Sequence, residues 1–128
     1  MGIMRKLERD QAEEYFELIE PDKAKVLQDL RKRMVRLAGA EKELIMSYQL
    51  PTIRVAGNNF LAFAAWNKFY SIYLLSGTLG KSLVKKLKQG ELDKSVIRFS
   101  WDEKVTDETL QLIISAKEKE LIARAKAR

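Results

Sequence analysis

Four short runs of β-branched and aromatic residues, joined by very short connections, constrain the fold of this chain more than any other feature. The runs are LIMSYQL, TIRVA, NFLAFAAW and FYSIYLL, between positions 44 and 75. Their connections are Pro51, GNN at 57–59 and NK at 67–68, too short for a crossover helix. The segment therefore predicts an antiparallel meander, and its third and fourth runs are apolar on both faces, as in central strands.

Two helices are predicted before this meander. In the segment DQAEEYFELI, Asp10 is the expected N-cap of the first helix and Glu13 completes a capping box. Pro21 suits the first turn of a second helix, and Gly39 is expected to end that helix after Ala38.

After the meander, the sequence predicts a helix, a strand and a final helix. LVKKLKQ predicts a short helix ended by Gly90, SVIRFSW predicts a fifth strand, and Thr106 is a suitable N-cap for the last helix. The expected fold is a single α+β domain over 1–128. We expect a mainly antiparallel sheet of about five strands, with helices packed mainly on one face.

Composition excludes several kinds of site. The chain has no cysteine and no histidine, which excludes disulfides, thiolate nucleophiles, serine–histidine triads and the usual zinc sites. No carboxylate pair, nucleophile–base pair or cofactor motif indicates catalysis, so we do not expect an enzyme.

The N-terminal MGIMRKLERD has no apolar leader, and no apolar run approaches the roughly 18 residues of a membrane span. A cytoplasmic protein without a membrane anchor is the expectation.

The segment SGTLGKS at 76–82 resembles the end of a phosphate-binding loop. That motif also needs a glycine five positions before Gly80, where this chain has Leu75. We therefore interpret the segment as a turn from strand to helix, in which Gly77 permits an unusual backbone angle and Ser76 or Thr78 caps the helix.

The charges of the first two predicted helices are opposite in sign. On the first helix, acidic side chains share one side, and two interpretations are open: a solvated face, or a weak, exchangeable site for hard cations such as ferric iron. The acidic residues are Asp10, Glu13, Glu14 and Glu17.

The second helix carries the opposite charge. Its outward face is basic and could bind an acidic partner protein, or could pair with the first helix. No recognised nucleic-acid-binding motif accompanies it, so nucleic acid is not an expected partner. The candidate partner residues are Lys25, Lys32 and Arg36, with Arg33 on the same face.

Aromatic residues recur along the predicted strands and are expected mostly in the core. If one sheet face were open, they would line a groove, with Tyr48 and Tyr70 as polar contacts for a ligand. The aromatic residues are Tyr48, Phe60, Phe63, Trp66, Phe69, Tyr70 and Tyr73.

The stretches SYQLPTIRVAGNNFLAFAAWNKFYSIYLLSG and KSVIRFSWDEKVTDETLQLIISAK resemble the YdhG-like family, a bacterial domain of unknown function. The resemblance rests on Tyr48 with Pro51, FLAFAAWNK, the Tyr73 strand ending at Gly77, and IRF before the last helix. It covers about 8–121 and implies a frataxin-like α/β sandwich. Many relatives carry histidine where this chain has Phe69.

The resemblance also implies a function, because some members of the family are described as intracellular iron chaperones. We therefore expect either of two non-enzymatic roles. One is a frataxin-like chaperone that binds iron and passes it to an iron-accepting protein. Frataxins, however, display their acids on one long helix, whereas this chain has two helices before the sheet. The alternative is a module that binds a protein or a small ligand through the basic helix face or an aromatic groove.

Overall fold

Antiparallel strands form one sheet in the computed structural model, which describes residues 6–39 and 43–127. The spatial order is β1-β2-β3-β4-β6-β5, and every neighbouring pair is antiparallel. The predicted meander is therefore confirmed as β1 to β4. The strands are β1 (Glu43–Ser47), β2 (Leu50–Val55), β3 (Asn58–Ala65), β4 (Phe69–Tyr73), β5 (Glu91–Asp93) and β6 (Val96–Ser100).

Helices precede, interrupt and follow these strands. The prediction of an α+β fold with an antiparallel sheet is confirmed. The described residues form six strands rather than about five, because the short β5 pairs with β6. The helices are a 3₁₀ helix (Arg9–Glu17), α1 (Pro21–Ala38), α2 (Gly77–Leu83) and α3 (Asp107–Lys126).

The first helix differs from the prediction. It is a 3₁₀ helix with non-helical backbone angles at Gln11, and its N-cap is Glu8 rather than Asp10. The side-chain Oε1 of Gln11 accepts a hydrogen bond of 2.8 Å from the backbone N–H of Glu8. This contact replaces the capping box expected between Asp10 and Glu13.

The helix after the meander begins earlier than predicted. The side-chain oxygen of Ser76 accepts a hydrogen bond of 3.2 Å from the backbone N–H of Leu79, and this cap starts α2 at Gly77. The lysine-rich segment 84–89, expected in a helix, forms turns and loop instead. The prediction for LVKKLKQ was therefore wrong, whereas Ser76 as the cap is confirmed.

The core lies between the sheet and the helices, and the consecutive residues 60–64 of β3 are all buried, so both faces of this strand are covered. Phe63 of β3 packs against Phe16 of the 3₁₀ helix, with ring centroids 6.1 Å apart. Burying an aliphatic or phenyl side chain of this kind contributes about 1.5–3 kcal/mol. α1 and α3 add the buried residues Leu27, Leu30, Met34, Leu110, Ile113 and Ile114.

None of the helices that the structure describes combines the length and the apolar content needed to cross a bilayer.

Candidate functional site

The predicted acidic residues lie on the 3₁₀ helix without converging. Both carboxylate oxygens of Glu13 accept hydrogen bonds from the Arg31 guanidinium, at 2.7 and 2.5 Å. This hydrogen bonding holds the pKa of Glu13 below its usual value. Across residues 6–39 and 43–127, no three acidic side chains are grouped to hold a metal ion. Metal binding at Asp10, Glu13, Glu14 and Glu17 stays a prediction.

The arginines of α1 are paired with carboxylates of the protein itself. Arg31, which is not one of the residues of the predicted basic face, binds Glu13 of the first helix. Arg33 and Arg36 both bind Asp107 at the start of α3, at 2.8 and 3.0 Å. The guanidinium groups of Arg31 and Arg33 are therefore largely occupied within the molecule, whereas the side chain of Arg36 stays mostly exposed.

Two lysines of α1 differ from the arginines. In the described part of the chain, Lys25 and Lys32 have no carboxylate within ion-pair distance. Lys32 and Arg36 line a groove between α1 and β1, whereas Lys25 lines a smaller cleft beside the loop 101–105. The structure thus separates the three predicted partner residues into two surfaces.

The two candidate tyrosines have opposite environments. Tyr70 is only 1% exposed, its hydroxyl donates to the backbone oxygen of Glu103 at 2.5 Å, and its ring stacks on Phe99. Burial raises the pKa of the Tyr70 phenol. The expectation of Tyr70 as an exposed ligand contact is therefore corrected, because its polar group is used to fix the loop before α3. Tyr48, in contrast, is 94% exposed.

A different cleft brings together three cations that the sequence analysis did not identify. We name it the basic cleft, and its volume is about 490 Å³. Strand β2, the β2–β3 turn and the second half of α3 contribute most of it. It is lined by Ser47, Tyr48, Leu50, Thr52, Arg54, Gly57, Asn58, Asn59, Leu75, Lys117, Leu121 and Arg124.

Arg54 occupies its place because β2 and β3 lose their regular register between Ile53 and Arg54. Such bulges redirect a side chain relative to the rest of the strand. The Nη1 of Arg54 donates to Asn59 Oδ1 at 2.6 Å and Nη2 donates to the Gly57 carbonyl. Its Nε is buried without a hydrogen-bond partner, since Glu43 Oε2 lies 3.6 Å away.

Lys117 is a buried cation on α3. It is 1% exposed, and its Nζ donates to the backbone oxygen of Leu74 at 2.7 Å. Desolvation lowers the pKa of the Lys117 ammonium, with Glu120 acting in the opposite direction and Arg124 in the same one. The nearest Glu120 oxygen lies 3.8 Å from Lys117 Nζ and 2.9 Å from Arg124 Nη2. One carboxylate is therefore shared by two cations of the basic cleft.

The rim of the basic cleft contains unusual backbone conformations. Tyr48, Gly57 and Leu75 have φ values of 52°, 79° and 60°. Residues other than glycine rarely adopt this left-handed region, and such residues are concentrated at functional sites. The unusual angle expected at Gly77 thus occurs two residues earlier, at Leu75.

The segment SGTLGKS has a packing role. A Cβ atom on Gly80 would lie 1.8 Å from the backbone oxygen of Lys94. Gly80 is therefore required by the close approach of α2 to the β5–β6 turn. This close contact accounts for a glycine at position 80, and no phosphate ligand is needed to explain it.

The buried Lys117 predicts a dependence of stability on alkaline pH. Its folded-state pKa lies below the usual 10.5, so the unfolded chain binds this proton more tightly. The free energy of unfolding should therefore rise with pH toward about 10. The raised pKa values of Tyr15 and Tyr70 act oppositely only above their usual value of 10.0. Urea titrations at several pH values should show this rise in the parent and a smaller one in Lys117→Met. If the free energy of unfolding rose equally with pH in the parent and in Lys117→Met, the assignment of this effect to Lys117 would be wrong.

Comparison with protein-family models and with curated proteins gave no match. Among solved structures, the chain is similar to a DUF1801 family protein, YdhG, from Bacillus subtilis. The TM-score is 0.75 at 12% identity, over 87% of this chain and 90% of that chain. The chain has the fold of YdhG. The resemblance to the YdhG-like family is thereby confirmed in its fold, while likeness to frataxin stays a prediction.

Proposed function

We propose that this protein is a non-catalytic binding module whose basic cleft takes a small anionic ligand. The observation that carries the proposal is the grouping of three cations, Arg54, Lys117 and Arg124, in the lining of one cleft. A cleft lined by one sign of charge concentrates ligands of the opposite sign. A carboxylate or phosphate oxygen would accept charge-assisted hydrogen bonds from these cations.

The local charge supports an anion rather than a cation. Arg54, Lys117 and Arg124 line the cleft, and among residues 6–39 and 43–127 their ion pairs involve only Glu43 and Glu120. Three cations therefore share two carboxylates. A buried cation such as Lys117 loses hydration on folding, and an anion nearby would restore part of that lost stabilisation.

Neutral polar side chains also line the cleft. The Asn58 amide donates to the Ala56 carbonyl at 3.3 Å, and its second N–H would be able to donate to an anion. The volume lies in the range of small-molecule sites, roughly 300–1,000 Å³. The basic helix face is a weaker candidate, because its lysines Lys25 and Lys32 line two separate surfaces.

The proposal is tested by calorimetric titration with inorganic phosphate and with acetate. We expect millimolar binding that Arg124→Gln weakens about ten- to 150-fold, since one charge-assisted hydrogen bond contributes about 1.5–3 kcal/mol. Lys126→Gln is the matched control, because it removes the same charge from the same helix outside the cleft.

Two outcomes would overturn the proposal. One is the absence of binding at high millimolar anion. The other is an equal loss of affinity in Arg124→Gln and Lys126→Gln, which would indicate attraction to overall charge. Iron delivery, implied by the family resemblance, is separated from this proposal by titrating the same protein with ferrous iron.

A further inference from the structure

The rim of the basic cleft differs chemically from its interior. Tyr48 is 94% exposed and Leu75 is 38% exposed, and both line the cleft that contains the three cations. Exposed apolar side chains that line a ligand-sized cleft are available for contact with a ligand, and ligand pockets are mostly lined by such side chains. The combination places apolar surface at the rim of a cationic site.

The turn that carries Tyr48 is anchored. Tyr48 and Gln49 both have positive φ, as in a two-residue hairpin turn between β1 and β2. The Gln49 amide forms two hydrogen bonds with the backbone of Leu7, at 3.1 and 3.2 Å. These hydrogen bonds hold the turn that places Tyr48 on the rim of the cleft.

Leu75 is anchored in a similar way. It follows Leu74, whose N–H donates to the Ser95 carbonyl at 2.8 Å, and precedes Ser76, the N-cap of α2. Its own φ of 60° directs the chain out of β4 into the helix. Tyr48 and Leu75 are thus placed by left-handed backbone positions on the rim of one cleft that cations also line.

From this arrangement we infer that the preferred ligands of the basic cleft are small aromatic carboxylates. The carboxylate binds the cations, and the flat ring contacts Tyr48 and Leu75. Aromatic rings pair favourably with other rings and bury much area at small entropic cost. The inference rests on the proposed function and adds the class of ligand to it.

The test compares benzoate, acetate and benzyl alcohol by calorimetric titration of the full chain. We expect benzoate to bind about tenfold more tightly than acetate, and benzyl alcohol to bind more weakly than benzoate because it lacks the charge. In Tyr48→Ala the affinity for benzoate should fall to that for acetate, while acetate binding is unchanged. Tyr48→Phe should keep the preference for benzoate, because the ring rather than the hydroxyl makes the contact.

The possible failures are distinguishable. If benzoate and acetate bind the parent equally, the aromatic inference is wrong and the anion proposal stands. If neither binds, both are wrong. A benzoate preference that survives both Tyr48→Ala and Leu75→Ser would place the ring elsewhere and overturn the inference. Because both side chains are exposed, a circular dichroism spectrum unchanged from the parent is expected for each variant.

Discussion

Gly80→Ala is expected to destabilise the protein by about 2–4 kcal/mol, among the largest effects of any single methyl group in this chain. The added Cβ would lie 1.8 Å from the backbone oxygen of Lys94 and 2.9 Å from its carbonyl carbon. Backbone atoms cannot rotate away as a flexible side chain can, so α2 or the β5–β6 turn has to move. Urea denaturation of the two proteins measures this difference.

Gly77→Ala is the matched control in the same helix. Its Cβ would meet nothing within 4 Å, and its φ lies outside the left-handed region. Alanine also restricts the unfolded chain, so we expect no loss, or a gain of up to about 1 kcal/mol. Equal destabilisation by both substitutions would contradict the packing role assigned to Gly80.

Tyr70→Ala is expected to cost about 3–5 kcal/mol, as for other large buried aromatic residues. The ring stacks on Phe99 at 5.4 Å and also contacts Trp101 at 5.1 Å. Tyr70→Phe isolates the hydroxyl and should cost about 1–3 kcal/mol, because it leaves the Glu103 carbonyl and the Val105 N–H without this partner. Thermal and urea unfolding measure both effects.

Tyr48→Ala provides the contrast, since an exposed side chain without such contacts changes stability by about 0.5 kcal/mol or less. The expected pattern is therefore loss of stability at Tyr70 and loss of ligand affinity at Tyr48. A stable Tyr70→Phe variant with impaired binding would contradict the structural role assigned to Tyr70.

The architecture was largely predictable because local signals agreed with the tertiary fold. Connections such as NK at 67–68 allow only antiparallel neighbours, which is what β3 and β4 form. Pro21 and Gly39 mark the ends of α1 as expected, and Gly39 adopts the left-handed conformation of a helix C-cap. In these segments the residue types allow one structure only.

The errors arose where several local solutions compete. Leu83, Val84 and Leu87 have helical spacing, but the Ser76 cap and the contact of Gly80 with Lys94 start the helix earlier. The choice was decided by packing against a strand that comes later in the chain. The 3₁₀ helix is a similar case, because Gln11 competes with Glu13 as the capping partner.

The candidate site was not predictable because its residues are distant in sequence. Arg54 on β2 and Lys117 on α3 meet only after the sheet and the helices have assembled. The sequence contained one indication of the site, namely the position of Lys117. Lys117 follows the apolar Ile113 by one helical turn and therefore lies on the buried side of α3. A lysine on an apolar stripe marks an unusual environment, but the sequence does not tell which other residues share it.

The most direct measurement for the basic cleft is an amide chemical-shift titration of the full chain, first with acetate and then, on a fresh sample, with ferrous iron. We expect saturable shifts on adding acetate at the amides of Arg54, Gly57, Asn58, Asn59 and Arg124. We expect no comparable saturation at residues 10–17. Saturable effects of iron at Glu13, Glu14 and Glu17, with acetate leaving the cleft amides unchanged, would contradict the anion-binding function and favour iron handling instead.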